Sequence, residues 1–289
     1  MLRLMNAVRE IVLPVAGAPG PQRALGRLDL RFRRDQSGRT RIQNFYQAGC
    51  LRARLPRPVD AAWCEAVVMN VSGGIAGGDA LTSLITLDEG ASAIVAAQAA
   101  ERVYRALDGQ SARLTQEITL GAGAALDFLP QETILFDGFA LDRRLRAELG
   151  AGARYLSVES LVFGRQAMGE ALLSGALRDR IEIFREGKLV LCDLVRLAGD
   201  LAALLARPAV AAGARAMATL IYAAPDASAR LPPLRAALEL GPCEAGASLV
   251  DSVLVARILA PDSASLRVSV LAALAICRDG RALPRVWQG

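Results

Sequence analysis

Apolar and polar positions follow one rhythm over the first two thirds of the chain and another over the last third. From Arg23 to about Arg196 the sequence is made of short segments with period two, separated by turn residues. Arg27-Leu28-Asp29-Leu30-Arg31-Phe32-Arg33 alternates cleanly, Asp35-Gln36-Ser37-Gly38 reads as a turn, and 40–45 resumes the alternation. Period two sends successive side chains to opposite faces of a strand, so these segments predict half-buried strands. Others are predicted at 66–71, 81–87, 91–96, 112–120, 124–128, 141–149 and 154–162, many of them bounded by Gly or Asp-Glu-Gly clusters. Segments 177–185 and 189–197 flank Glu186-Gly187-Lys188, a hairpin turn. So many short strands argue for a sandwich, a barrel or a solenoid. No fixed-period repeat supports a consensus solenoid.

In the last third, 219–223 and 253–259 fit strands, and two helical patterns appear. The first begins at Asp226, with Leu231, Leu234 and Leu238 at helical spacing and Pro232-Pro233 near its first turn. The second is capped by Asp262 or Ser263 and runs through Cys277, with Leu266, Val270, Leu274 and Cys277 on one face. No linker divides the chain, so 1–289 is read as a single domain.

At 53% hydrophobic residues the chain can bury a core, which excludes a disordered protein. The apolar stretch 201–224 is interrupted by Arg207, Pro208 and Arg215, whereas a membrane span needs roughly 20 apolar residues. The first 20 residues look briefly like a signal peptide, but the apolar run 11–16 is short and follows Arg9 and Glu10, so a cytoplasmic location is expected. Cys50, Cys64, Cys192, Cys243 and Cys277 are odd in number and irregularly spaced, which predicts buried or half-buried free thiols. Net charge is +5 and Lys188 is the one lysine. The arginines are spread along the chain and aromatic residues make up only 4%, so neither nucleic acid nor membrane is expected as a partner. There is no histidine, which excludes Ser-His-Asp and Cys-His catalysis and histidine metal motifs.

Four segments stand out. Asn70-Val71-Ser72-Gly73-Gly74-Ile75-Ala76-Gly77-Gly78-Asp79 lacks the Gly-Lys-Ser/Thr ending of a phosphate loop and the spacing of a dinucleotide fingerprint. Gly73, Gly74, Gly77 and Gly78 read as a structural double turn, with Gly77 and Gly78 expected at positive φ and Asp79 held stiffly at its end. The others are Gln98-Ala99-Ala100-Glu101-Arg102-Val103-Tyr104-Arg105, then Leu129-Pro130-Gln131-Glu132-Thr133-Ile134-Leu135-Phe136-Asp137-Gly138, and 159–170. Two acids also break the strand pattern. Asp193 falls in phase with Leu189, Leu191, Val195 and Leu197, and Glu159 with Tyr155, Leu161 and Phe163. A carboxylate among apolar neighbours costs free energy unless it is paired, hydrated or bound to a cation. Two readings follow, a buried pair with arginine or the polar lining of a channel.

The ordered set resembles the urease accessory protein D family (UreD, also called UreH). The likeness runs from Gly38-Arg39-Thr40-Arg41 and Gln47-Ala48-Gly49-Cys50 through the glycine loop, Ala100-Glu101-Arg102-Val103-Tyr104-Arg105 and 129–138. It continues through Phe163-Gly164-Arg165 with Met168-Gly169-Glu170 to Leu283-Pro284-Arg285-Val286-Trp287. The resemblance implies a mainly β fold of stacked, solenoid-like (β-helical) sheets with two helices near the C-terminal end. It implies a non-enzymatic urease maturation chaperone that binds apo-urease and the F and G accessory proteins. Ni(II), brought by the GTPase G, would pass through an internal channel, with no cofactor permanently bound. Asp79, Glu101, Glu159 and Asp193 are the acids expected on such a transient nickel route. Arg102, Tyr104, Arg105, Glu132, Asp137, Arg165 and Glu170 are further motif residues. Family members often carry histidine; here the route would be lined by carboxylates, carbonyls, hydroxyls and water, which hold nickel less tightly. A β-solenoid enzyme on an acidic or carbohydrate substrate is the alternative and would need an open acidic groove. A pure adaptor would have a solid core.

Overall fold

In the computed structural model, which describes residues 22–165 and 168–288, the period-two segments form two facing sheets. The N-terminal segment carrying Arg9 and Glu10, and Gln166 and Ala167, lie outside the described residues. The strands are β1 (Leu25–Arg34), β2 (Thr40–Gly49), β3 (Leu51–Arg54), β4 (Cys64–Asn70), β5 (Ala80–Leu87), β6 (Ser92–Ala97), β7 (Glu101–Val103), β8 (Ala112–Leu120) and β9 (Ala125–Leu129). After them come β10 (Thr133–Leu135), β11 (Phe139–Leu149), β12 (Arg154–Phe163), β13 (Ser174–Arg185) and β14 (Lys188–Asp200). Helix α1 (Leu201–Ala206), β15 (Ala216–Ala223), α2 (Ala227–Glu239), β16 (Glu244–Val250), β17 (Val253–Ala260) and α3 (Ser263–Cys277) complete the order.

From β4 to β13 the chain coils. It lays one strand in the second sheet and the next in the first, so β1, β5, β8, β11 and β13 run parallel, and so do β4, β6, β9 and β12. Each turn of the coil stacks on the one before. Ile75, Val103, Leu135 and Phe163 occupy successive rungs. The intervals between them are unequal, and this is why no fixed period shows in the sequence. Antiparallel strands close both ends of the coil: β2 and β3 at one, β14, β15, β17 and β16 at the other.

The two sheets differ in what covers them. Strand β11 alternates buried with partly exposed residues, whereas β12 is buried at almost every position. The outer face of the second sheet carries α2 and α3, and Leu156, Val158, Leu220, Leu254 and Ile258 pack there with Leu234, Leu266 and Leu274. A strand covered on both faces reads as a continuous apolar run.

The strands β3, β7 and β16 and the helix α1 were not foreseen; each is short or lacks strong patterning. Asp262 is the cap of α3, accepting from the Ser265 amide at 2.7 Å. Asp226 precedes α2, but its carboxylate takes the Tyr222 hydroxyl and Arg230 rather than a helix amide. Pro232 and Pro233 fall in the second turn of α2, beyond the positions where the backbone donor is spare. The expected face of Asp193 needs one correction. A bulge at Val190 in the β13–β14 ladder turns Leu189 outward, so Leu189 does not share the Asp193 face. Cys192 is exposed, against the expectation for all five thiols; among the described residues all five are free. No helix among the described residues is long and apolar enough to cross a membrane.

Candidate functional site

The second sheet has a seam. Strands β6 and β7 are interrupted at 98–100, and their neighbours β9 and β10 at 130–132, while β12 runs through without a break. Pro130 lacks the amide a ladder requires, and Gln98-Ala99-Ala100 and Gln131-Glu132 leave the ladder beside it. Behind this seam a cavity of about 260 Å³ opens between the sheets. Its mouth is formed by Asn70, Gly73, Gly74 and Glu101; Ser83, Gln116, Arg143 and Glu159 face it from deeper in.

Stacked rungs thus place all four sequence motifs together. Gly74 at φ +144° lies against the ring of Tyr104, and a Cβ there would collide with that ring. The Tyr104 hydroxyl donates to the Gly73 carbonyl at 2.8 Å. Tyr104 meets Phe136 edge to face at 5.0 Å, and Arg165 stacks over Phe136 at 4.5 Å while pairing with Glu170 at 3.0 Å. Arg105 pairs with Asp137, whose other oxygen accepts from the Leu173 and Ser174 amides. Although partial burial opposes it, these donors hold the Asp137 carboxyl below the usual range. Glu132 sits 3.5 Å from Arg267, and Arg102 is exposed beside the mouth. Of these residues Gly73, Gly74 and Arg102 line the cavity; the others brace the loops beside it.

Gly77 is explained by crowding rather than by positive φ. A Cβ there would stand 2.6 Å from the Gln110 carbonyl and 2.8 Å from Ala106, while Gly78 does adopt φ +82°. Asp79 is buried and accepts from the Ala24 amide at 2.7 Å and the Ala76 amide at 2.8 Å. It clamps the turn and does not line the cavity.

Glu101 accepts from Asn70 at 3.2 Å and from the Arg102 amide at 3.2 Å. Burial raises its pKa, against the pull of Asn70. At the cavity floor Arg143 of β11 bridges Glu159 of β12 at 2.6 Å and Asp179 of β13 at 2.5 Å. Burial pushes Glu159 up to about 7 against the attraction of Arg143, with Asp179 adding to the rise. The two carboxylates, working against burial, raise Arg143 above its ordinary value. One oxygen of Glu159, Oε1, is buried without a partner.

A polar row continues from that floor toward partly exposed residues. Glu159 is opposite Thr219 in register, and Thr219 is opposite Arg257. Arg257 donates to Thr219 at 2.7 Å and to Asp193 at 2.7 Å. Glu159 and Asp193 are thus linked through Thr219 and Arg257; Glu101 shares the cavity with Glu159 but stands on the neighbouring Thr133–Leu161 rung, and Asp79 is apart from both. Glu159 and Asp193 are each paired with an arginine; Glu159 also lines the cavity, whereas Asp193 lies outside its lining. Arg143, Asp179 and Gln116 were missed by the sequence reading, although the test applied to Glu159 would have found them. Arg143 is in phase with Leu141 and Leu145, Asp179 with Leu177 and Ile181, and Gln116 with Leu114 and Ile118.

Chemically, the floor joins two carboxylates to one guanidinium in an enclosed space. Glycoside hydrolysis would require carboxylates free to flank a substrate; Glu159 and Asp179 are each about 5% exposed and share Arg143. Among the described residues, no group of three or more His, Cys, Asp or Glu side chains is placed to hold a metal ion.

Residues 24–288 match the family model described as UreD urease accessory protein. The chain is 46% identical to the urease accessory protein UreD of Azorhizobium caulinodans, over 94% of this chain and 99% of that protein. It is 45% identical to the protein of that name from Methylobacterium sp. (strain 4-46), over 95% and 98% of the two chains. With that of Xanthobacter autotrophicus it shares 48% over 86% and 85%.

Proposed function

The chain belongs to the UreD family of urease accessory proteins, and from that premise we propose that it is a non-enzymatic scaffold that passes Ni(II) to apo-urease through the cavity between its sheets. The metal is cargo here, not a resident cofactor. The accessory proteins F and G would dock to it, G supplying the ion.

One observation carries the reading. The cavity has a carboxylate at its mouth, Glu101, and another at its floor, Glu159, whose Oε1 is buried without a partner. A bare carboxylate oxygen in a low-dielectric site is costly unless something positive visits it. From the floor the route would continue along the polar row through Thr219 to the partly exposed Asp193–Arg257 pair. Without imidazole, each contact is with hard oxygen and is weak for nickel, which suits an ion that must also leave.

The test is co-expression of urease and its accessory proteins with a Glu101→Gln, Glu159→Gln double variant of this chain. The variant is expected to assemble into the complex while the nickel content of purified urease falls several-fold. Full nickel loading by a soluble double variant would exclude the route.

A further inference from the structure

Arg143 stands where a cation on this route would have to stand. Its guanidinium spans the gap between the sheets, with Nη1 on Glu159 Oε2 at 2.6 Å and Nε and Nη2 on Asp179 at 2.8 and 2.5 Å. Nη1 also approaches the Thr133 hydroxyl at 3.4 Å. All three charged side chains are more than nine-tenths buried. The fork of a guanidinium fits two carboxylates in a way that an ammonium cannot.

We propose that Arg143 is a tethered counter-cation that keeps Glu159 and Asp179 from capturing a divalent metal, so that the cavity floor passes the ion instead of storing it. This inference rests on the reading of the cavity as a cation route. Without Arg143, two buried carboxylates and the Thr133 hydroxyl would converge with two uncompensated negative charges. A divalent cation would neutralise them and be retained, as oxygen sites with several charged ligands retain metals. With Arg143 in place the floor carries at most one net negative charge, reached when Glu159 is ionised, and offers a visiting ion a single free oxygen, Glu159 Oε1. The ion is drawn in but meets a fixed positive charge at contact range. A guanidinium does not surrender its proton in a protein, so the fixed positive charge stays in place whatever the ionisation of Glu159.

The experiment is isothermal titration of the purified chain with Ni(II). Arg143→Met is expected to bind one equivalent at least about tenfold more tightly than the unmodified chain. Adding Glu159→Gln to that variant is expected to abolish the gain. Arg143→Lys keeps a buried cation that reaches only one carboxylate, and it is expected to show an intermediate gain. It decides the matter where Arg143→Met yields no folded protein. In co-expression, the tighter variant is expected to co-purify with nickel while urease is under-loaded. A folded Arg143→Met, or Arg143→Lys in its place, that titrates like the unmodified chain overturns the proposal and leaves the route standing. Full urease loading by the Glu101→Gln, Glu159→Gln variant overturns the route itself.

Discussion

Asp127 and Glu159 sit on adjacent strands of one sheet, both almost fully buried, yet they face opposite ways and are treated oppositely. Asp127 points toward the helices and is met by three guanidinium groups: Arg154 at 2.9 Å, Arg278 at 2.8 Å and Arg281 at 3.3 Å. Arg154 also donates to the Cys277 carbonyl, so the cluster pins the end of α3 to the sheet. Glu159 points between the sheets, shares one guanidinium with Asp179 and keeps one oxygen bare beside a cavity. Burial of a carboxylate therefore says little by itself. The ratio of charges and the space beside them separate a structural clamp from a site that can receive an ion.

The largest effect expected from breaking this contrast is at Asp127. Asp127→Asn leaves three guanidinium groups around a neutral amide and should cost about 3–5 kcal/mol, the penalty for removing one partner of a buried ion pair. Thermal or urea denaturation measures it. Glu159→Gln should cost much less, because Arg143 keeps Asp179 and the unpartnered oxygen no longer carries charge. Equal losses at the two positions would break the comparison.

The same contrast explains what the sequence reveals. The strand alternation of β1, β5, β8 and β11 marks one face to solvent and is plain to read. Helices α2 and α3 were legible from spacing, and α3 also from the Asp262 cap. Asp127 was not, because β9 is covered on both faces and its polar residue lies in a short apolar run with no phase to violate. The seam at 98–100 and 130–132 was also hidden. It depends on two interruptions, distant in sequence, coming to lie side by side in a coil of unequal turns. Gly77 shows the same limit, since its crowding comes from Ala106 and Gln110 on the next turn.

A smaller effect sharpens the contrast through pH. Glu159 has a folded-state pKa raised to about 7 from an ordinary 4.5. A raised carboxyl contributes stability that is fully present below 4.5 and is lost as pH climbs through 7. The groups facing it are Arg143 and Asp179 from the first sheet and Tyr155 and Thr219 from its own. Between those pH values the wild type should lose about 3 kcal/mol relative to Glu159→Gln. Parallel denaturation curves of the two proteins from pH 4 to 8 check this. A constant gap would mean that Glu159 is ionised throughout and that Arg143 outweighs burial.

The smallest effect is expected at the outer end of the polar row. Asp193 and Arg257 are paired at 2.7 Å, but their side chains are 21% and 33% exposed. Solvent screens such a pair, so Asp193→Asn should cost about 1 kcal/mol or less. Arg257 then keeps its bond to the Thr219 hydroxyl and its access to water. The low cost gives the variant its use, since it removes a charge from the proposed route without weakening the fold. The variant should remain soluble and, on the proposed function, still assemble with the urease proteins, so that any fall in urease nickel content reports the charge alone. The fall should be smaller than for Glu159→Gln, because water can replace a carboxylate oxygen at an exposed end but not on the cavity floor. A destabilisation as large as that of Asp127→Asn would place Asp193 with the structural clamps. The polar row would then end at Thr219.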